Sequence, residues 1–153
     1  MTGLAIIPSL VLASTSPRRL ELLARIGVTP ARISAPEIDE SPLKGELPRD
    51  YVGRLARSKA EATPRADHEV VLAGDTTVAV GRRILEKPVD EADLRRMMAL
   101  LSGRRHHVYS GICVVGTDGK FRVRVVDTVV AFKQLTQPEI DAYVATGEGM
   151  GKA

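Results

Sequence analysis

Three short stretches of the chain could do chemistry together. The first is Leu12-Ala13-Ser14-Thr15-Ser16-Pro17-Arg18-Arg19. It reads as a strand end, a Ser-rich turn and a helix start, with Ser16 as N-cap and Pro17 at the first helical position. Arg18 and Arg19 then fall on the positive end of the helix dipole, where a cation costs a few tenths of a kcal/mol up to about 1. A polyanion seated among Ser14, Ser16, Arg18, Arg19 and the free amides would remove that cost, and phosphate is the usual such anion. Two solvated surface arginines are the alternative. The second stretch is Gly74-Asp75-Thr76 at the expected end of an apolar strand. There Asp75 could hold a metal or act as general base on water, or merely cap a turn. The third is a cation set, Lys59 and Lys87, with Asp39, Glu40 and Asp75 as carboxylates able to ligate a divalent metal. Lys59 falls on an apolar helix stripe, where it could simply snorkel. Together these groups could serve a nucleoside triphosphate.

Other constellations fail. His106 and His107 are adjacent, so on a strand they face opposite ways and cannot share one metal, and His68 stands alone. No Ser-His-Asp elbow is present. Gly147-Glu148-Gly149-Met150-Gly151-Lys152-Ala153 only faintly resembles a P-loop: Thr146 occupies the place of its first glycine, and Ala153 that of the needed Ser or Thr.

The elements that must position these residues follow from periodicity. Residues 4–13 read as a buried strand. A helix after Ser16 sets Leu20, Leu23 and Ile26 on one face and ends at Gly27. Residues 33–40 read as a short extended piece and 41–48 as a loop. A helix over about 49–62 aligns Val52, Leu55 and Lys59. A strand over 69–73 ends in Gly74-Asp75-Thr76, and 77–85 forms a hairpin turning at Gly81-Arg82. A helix over 90–102 carries Leu94, Met97, Met98 and Leu101, and Gly103 closes it. Strands over about 106–116 and 121–133 are joined at Thr117-Asp118-Gly119-Lys120. A last helix opens on the capping box Thr136-Gln137-Pro138-Glu139 and ends near Gly147. The order implies an α/β domain with a mixed sheet.

Composition narrows the classes. The 153 residues are 44% apolar and 27% charged, which suits one globular domain or two small lobes. Aromatics are 3% and Trp is absent, so the stacking platforms of single-strand nucleic-acid binders are missing. The net charge of +3 and pI of about 9.2 suit a small anionic ligand and are too weak for a duplex-binding face. A plain binding module for acidic partners would share that charge. Cys113 is the single cysteine, so no intrachain disulfide forms and a reducing compartment is expected. Its apolar surroundings predict a buried, inert thiol. Pro8 interrupts the apolar N-terminal stretch and no basic region precedes it, unlike a signal peptide. No run is long enough to span a membrane. A cytoplasmic protein is expected, with no membrane or nucleic-acid partner.

These motifs resemble the Maf family of nucleoside triphosphate pyrophosphatases. The matching pieces are Leu12 to Arg19 with Glu21-Leu22-Leu23; Asp39-Glu40; Leu55 to Ala60; Gly74 to Val78; Lys87-Pro88; Leu101-Ser102-Gly103 with His106, Val108 and Ser110-Gly111; and Gly147-Glu148 with Gly151-Lys152-Ala153. The resemblance implies an elongated α/β fold with a deep central cleft between two lobes, related to the inosine triphosphate pyrophosphatases. It implies hydrolysis of a nucleoside triphosphate to the monophosphate and pyrophosphate with a divalent cation such as Mg or Mn, and a homodimer as the family habit. The family's proton acceptor falls on Asp75, and its base-choosing residues on Arg18 and Thr76. Ser-Pro-Arg-Arg with Asp-Thr is similar to the dTTP/UTP subgroup, whereas the sister group acting on 7-methyl-GTP carries Trp after Ser-Pro. The family's link to septum formation leaves a non-catalytic nucleotide-binding regulator as the rival reading. Family members continue past Gly-Lys-Ala into Ala-Tyr-x-Ile-Gln-Gly, whose Gln contributes to base choice. The sequence here ends at Ala153, so that part of the fold is expected to be absent from it.

Overall fold

The computed structural model describes residues 9–152. Residues 4–8 of the expected first strand, the stretch around Pro8, and Ala153 lie outside them. The elements run β1 (Ser9–Ala13), α1 (Pro17–Arg25), β2 (Arg32–Ile33), α2 (Pro48–Glu61), β3 (Glu69–Val80), β4 (Arg83–Leu85), α3 (Glu91–Leu101), β5 (Arg105–Val115), β6 (Phe121–Ala131) and α4 (Gln137–Thr146). The strands form one six-stranded mixed sheet in the order β2-β1-β3-β5-β6, with β4 paired to β3. β1 is parallel to both β2 and β3, and β3 is antiparallel to β4. No described helix is long and apolar enough to cross a membrane.

The residues divide into two compact units. The first holds the chain up to Pro42, Gly53–Asp75 and Gly111–Val125; the second holds Leu43–Val52, Thr76–Ser110 and Val126 onward. In the first unit Ala56 and Ala60 of α2 lie against Val11, Ala13, Val71, Ala73, Cys113 and Val115. Alanines at that contact let the helix axis come close to the sheet, and their burial with the valines supplies the apolar area that holds the unit together. Cys113 is wholly buried and reduced, and that burial pushes its thiol pKa up. In the second unit Leu94 of α3 meets Ile140 and Val144 of α4. α4 opens on the expected reciprocal box, Thr136 accepting from Glu139 N–H and Glu139 from Thr136 N–H.

Several expectations are corrected. Of the piece expected over 33–40, only Ile33 belongs to a strand, β2 (Arg32–Ile33); Ser34 adds one more bond to Leu12 of β1, its N–H donating at 2.9 Å, and the strand goes no further. α1 buries none of its residues, and Leu20 and Ile26 of its apolar face are 37% and 72% exposed. The larger correction concerns β3. The strand expected to stop at Gly74-Asp75-Thr76 and the hairpin arm after it are one continuous strand of 12 residues. Thr76, Thr77 and Val78 are β-branched and carry the extended backbone straight through. Asp75 is therefore not at a strand terminus. It lies between the part of β3 paired with β1, which ends at Ala13↔Ala73, and the part paired with β4, which starts at Val78↔Leu85.

Candidate active site

The site assembles in the first unit, where β1 ends and β3 runs on. Ser14, the residue after β1, is buried. Its Oγ accepts from Ser16 N–H at 3.1 Å and from Arg19 Nη1 at 3.0 Å. The first bond folds the Ser-Thr-Ser turn so that Pro17 enters α1; the second ties the helix's third residue back to the strand end. Ser16 occupies the N-cap position but makes no side-chain cap bond, and no acidic residue lies in the first turn. Ser16 is thus the N-cap residue, as expected, without a capping side-chain bond; Ser14 binds the N–H of Ser16 itself, and the first-turn amides of α1 gain no side-chain acceptor from Ser16.

Arg18 is exposed and Arg19 half-buried. Burial holds the Arg19 guanidinium below its ordinary range; attraction to Asp75 opposes this, repulsion from Arg18 adds to it, and Glu40 again opposes it. Arg19 passes over Gly74, where a Cβ would lie 3.3 Å from Arg19 Nε and 3.4 Å from the Gly111 carbonyl. A side chain at that position would crowd the arginine, which would have to give by a few tenths of an ångström. A glycine interrupting a β-branched strand is the signal for such a close approach, and the sequence reading gave Gly74 no role.

Lys59 sits on the buried stripe of α2, one turn beyond Leu55, and its side chain is 15% exposed. It does not snorkel. Its Nζ lies 2.9 Å from Glu40 Oε1 and 3.0 Å from Asp75 Oδ1. Asp75 is on the β3 face of Val71 and Ala73, which is the face α2 covers, so a helix lysine meets a strand aspartate. Asp75 is 11% exposed and Glu40 47%, so the ion pair is sealed at one end and open at the other.

The expected carboxylate trio does not close into one cage. Among the described residues no group of three or more His, Cys, Asp and Glu could hold a metal. Asp39 is exposed and its Oδ1 accepts the Ser41 N–H at 2.9 Å, which holds its pKa low. Thr76 follows Asp75 on the opposite face of β3. Lys87 is exposed just after β4, in the second unit. His106 is buried and His107 is not, so the two histidines do face opposite ways.

This arrangement offers a helix N-terminus and two arginines for a polyanion, and an ammonium between two carboxylates that could hold a cation or take a proton. Known proteins resemble this chain in sequence and fold. A dTTP/UTP pyrophosphatase of Sphingopyxis alaskensis is 82% identical over 95% of this chain and 77% of its own length. One of Novosphingobium aromaticivorans is 56% identical over 95% of the chain and 73% of its own length. The chain thus spans about three quarters of these relatives. The structure of a Staphylococcus aureus Ham1 protein shares the fold at 15% identity, with a TM-score of 0.54 over 92% of this chain and 98% of that one. The Maf-like protein profile matches residues 9–153, from the start of β1 through the Ser14–Arg19 turn and Asp75 to the last residue. The chain belongs to the Maf-like protein family.

Proposed function

We propose that the chain hydrolyses dTTP and UTP to the monophosphate and pyrophosphate. The observation that carries the substrate class is the 82% identity to the Sphingopyxis alaskensis pyrophosphatase over nearly the whole chain. The geometry of the site supports the following roles. Arg18 and Arg19 bind the phosphates from the helix N-terminus, and Ser14 holds Arg19 in place. Lys59 neutralises charge that builds on the phosphates in the transition state. Asp75 accepts the proton of a water that adds to the α-phosphorus as the bond to the β-phosphate oxygen breaks. Thr76 with Arg18 keeps the base-choosing role, and Lys87 the phosphate-neutralising role, expected from the sequence.

A divalent cation fits Glu40 and Asp75. Both are oxygen donors, and both already converge on the single ammonium of Lys59. Mg²⁺ is characteristically held by one or two carboxylates, with substrate phosphates and water filling the other positions. The described residues, which form no larger ligand cage, suit that habit. When bound, the cation supplies neutralisation of the triphosphate and polarisation of the attacked phosphorus.

Pyrophosphate release from dTTP, UTP and 7-methyl-GTP, with Mg²⁺ or Mn²⁺, tests the proposal. Turnover of dTTP and UTP is expected, falling by about 10²–10⁴ in Asp75→Asn. Wild-type turnover in that variant would refute Asp75 as the base. Tight binding of a non-hydrolysable dTTP analogue with no turnover in either metal would replace the enzyme by a nucleotide-binding regulator.

A further inference from the structure

The Lys59 ammonium stands where a cation shared by Glu40 and Asp75 would stand. The three groups come from separate segments: the loop after β2, α2 and β3. They meet at 2.9 Å and 3.0 Å with the Lys59 and Asp75 side chains both largely buried. The field of Asp75 and, more weakly, of Glu40 also reaches Arg19. Two carboxylates facing two cations leave this group formally neutral.

That balance has a consequence for the order of binding. A divalent cation arriving alone would have to displace Lys59 and would leave surplus positive charge between Lys59 and Arg19, in a partly desolvated place where Coulomb energies are larger than in water, with the exposed Arg18 adding to the repulsion on Arg19. A divalent cation arriving on a nucleoside triphosphate brings net negative charge, and its phosphates offer Lys59 a new partner. We propose that Lys59 is a resident counter-ion that keeps the Glu40–Asp75 position closed to free divalent metal and yields it only to a metal–triphosphate complex, moving from the carboxylates to the phosphates as it does so. The inference rests on the triphosphate reading above. It adds that Lys59 makes metal uptake conditional on nucleotide and restrains Asp75 until substrate is present.

The test is Mn²⁺ binding without turnover. Free Mn²⁺ is titrated by electron paramagnetic resonance against the nucleotide-free chain, as wild type, Lys59→Met and Lys59→Gln. Either lysine variant should bind Mn²⁺ alone at least about tenfold more tightly than wild type, roughly 1.4 kcal/mol. Adding Glu40→Gln to Lys59→Met should abolish the gain, which separates the carboxylate position from adventitious surface sites. Circular dichroism identifies any variant that fails to fold, and the other lysine variant then carries the comparison. In wild type, the resonance of ¹³C-dimethylated Lys59, assigned by its loss in Lys59→Met, should move with Mg²⁺ plus the dTTP analogue and stay put with Mg²⁺ alone. Equal Mn²⁺ affinity in wild type and both lysine variants would overturn the proposal, as would a Lys59 resonance that moves with Mg²⁺ alone. These readouts fail separately from the activity. A chain that turns over dTTP with no Mn²⁺ gain in the variants loses only this inference; a chain that shows the gain but hydrolyses no triphosphate loses only the pyrophosphatase.

Discussion

Replacing Arg19 by Ala separates a phosphate-binding arginine from a structural one. In the ligand-free chain Arg19 donates to Ser14 Oγ at 3.0 Å, a bond from a charged group whose net contribution is roughly 1.5–3 kcal/mol. Attraction to Asp75 and, more weakly, Glu40 adds to it; against it stand the arginine's burial and its repulsion from Arg18, together with a place on the positive helix end that costs about 0.3–1 kcal/mol. Ser14 Oγ keeps the Ser16 N–H after the substitution, so no buried hydroxyl is left without a partner. The net loss should be roughly 0.5–2 kcal/mol, lowering the melting temperature of a chain this size by roughly 1–8 °C. With triphosphate bound, the same guanidinium makes charge-assisted bonds that Ala cannot, so affinity should fall at least about tenfold, roughly 1.4 kcal/mol. The assay is a pair of melting curves with and without the non-hydrolysable dTTP analogue and Mg²⁺, supported by calorimetric titration. Ser14→Ala serves as comparator, because it loosens the arginine but keeps its charge and should cost less affinity. A fall in melting temperature well beyond that window, with ligand-induced stabilisation undiminished, would show Arg19 to be a structural tie and would sink the phosphate reading.

Three further outcomes are expected. Glu69 accepts a forked pair of bonds from Arg32 at 2.8 and 3.0 Å, which with the Ala66 N–H pulls its carboxyl pKa from 4.5 to about 2. A folded pKa depressed in this way stabilises the chain above the unfolded value and loses that contribution as pH falls from about 4.5 toward 2; urea melts across this range should show a slope that Glu69→Gln flattens. Thr136→Ala removes half of the capping box and should cost about 0.5–2 kcal/mol of unfolding free energy in denaturant melts, with dTTP turnover per folded molecule unchanged. Cys113 should resist a thiol reagent in the folded chain at pH 8 and react at once in urea, since it is wholly buried and its thiolate is disfavoured; fast labelling of the native chain would contradict that burial.

Much of the fold was legible locally. Gly27, Gly103 and Gly147 all adopt positive φ where the periodicity of α1, α3 and α4 stops, because only a residue without Cβ enters the left-handed region cheaply. The Thr136–Glu139 box and the Gly81-Arg82 turn were equally readable, since each uses residues a few positions apart. The extent of β3 was not. Gly and Asp disfavour strands, and local signals set the stop at Gly74-Asp75, whereas pairing with β1 on one side of that point and β4 on the other holds the strand extended through it.

The sequence by itself determined which groups are available: two arginines after Ser-Pro, a lysine on an apolar helix stripe, an aspartate in an apolar strand and an acidic pair before the Pro/Gly-rich loop. It also determined the family, because those motifs recur in order along the chain. Only the tertiary structure decided which of them meet. Lys59 reaches Asp75 because α2 lies against the sheet face that Asp75 occupies, a contact 16 residues apart in sequence. Glu40 joins them and Asp39, its neighbour, turns instead to the Ser41 N–H. Composition and periodicity weigh those two acidic neighbours alike. The difference between them is one of direction, and direction is set by the packing of α2 on β3 and by the turn that follows β2.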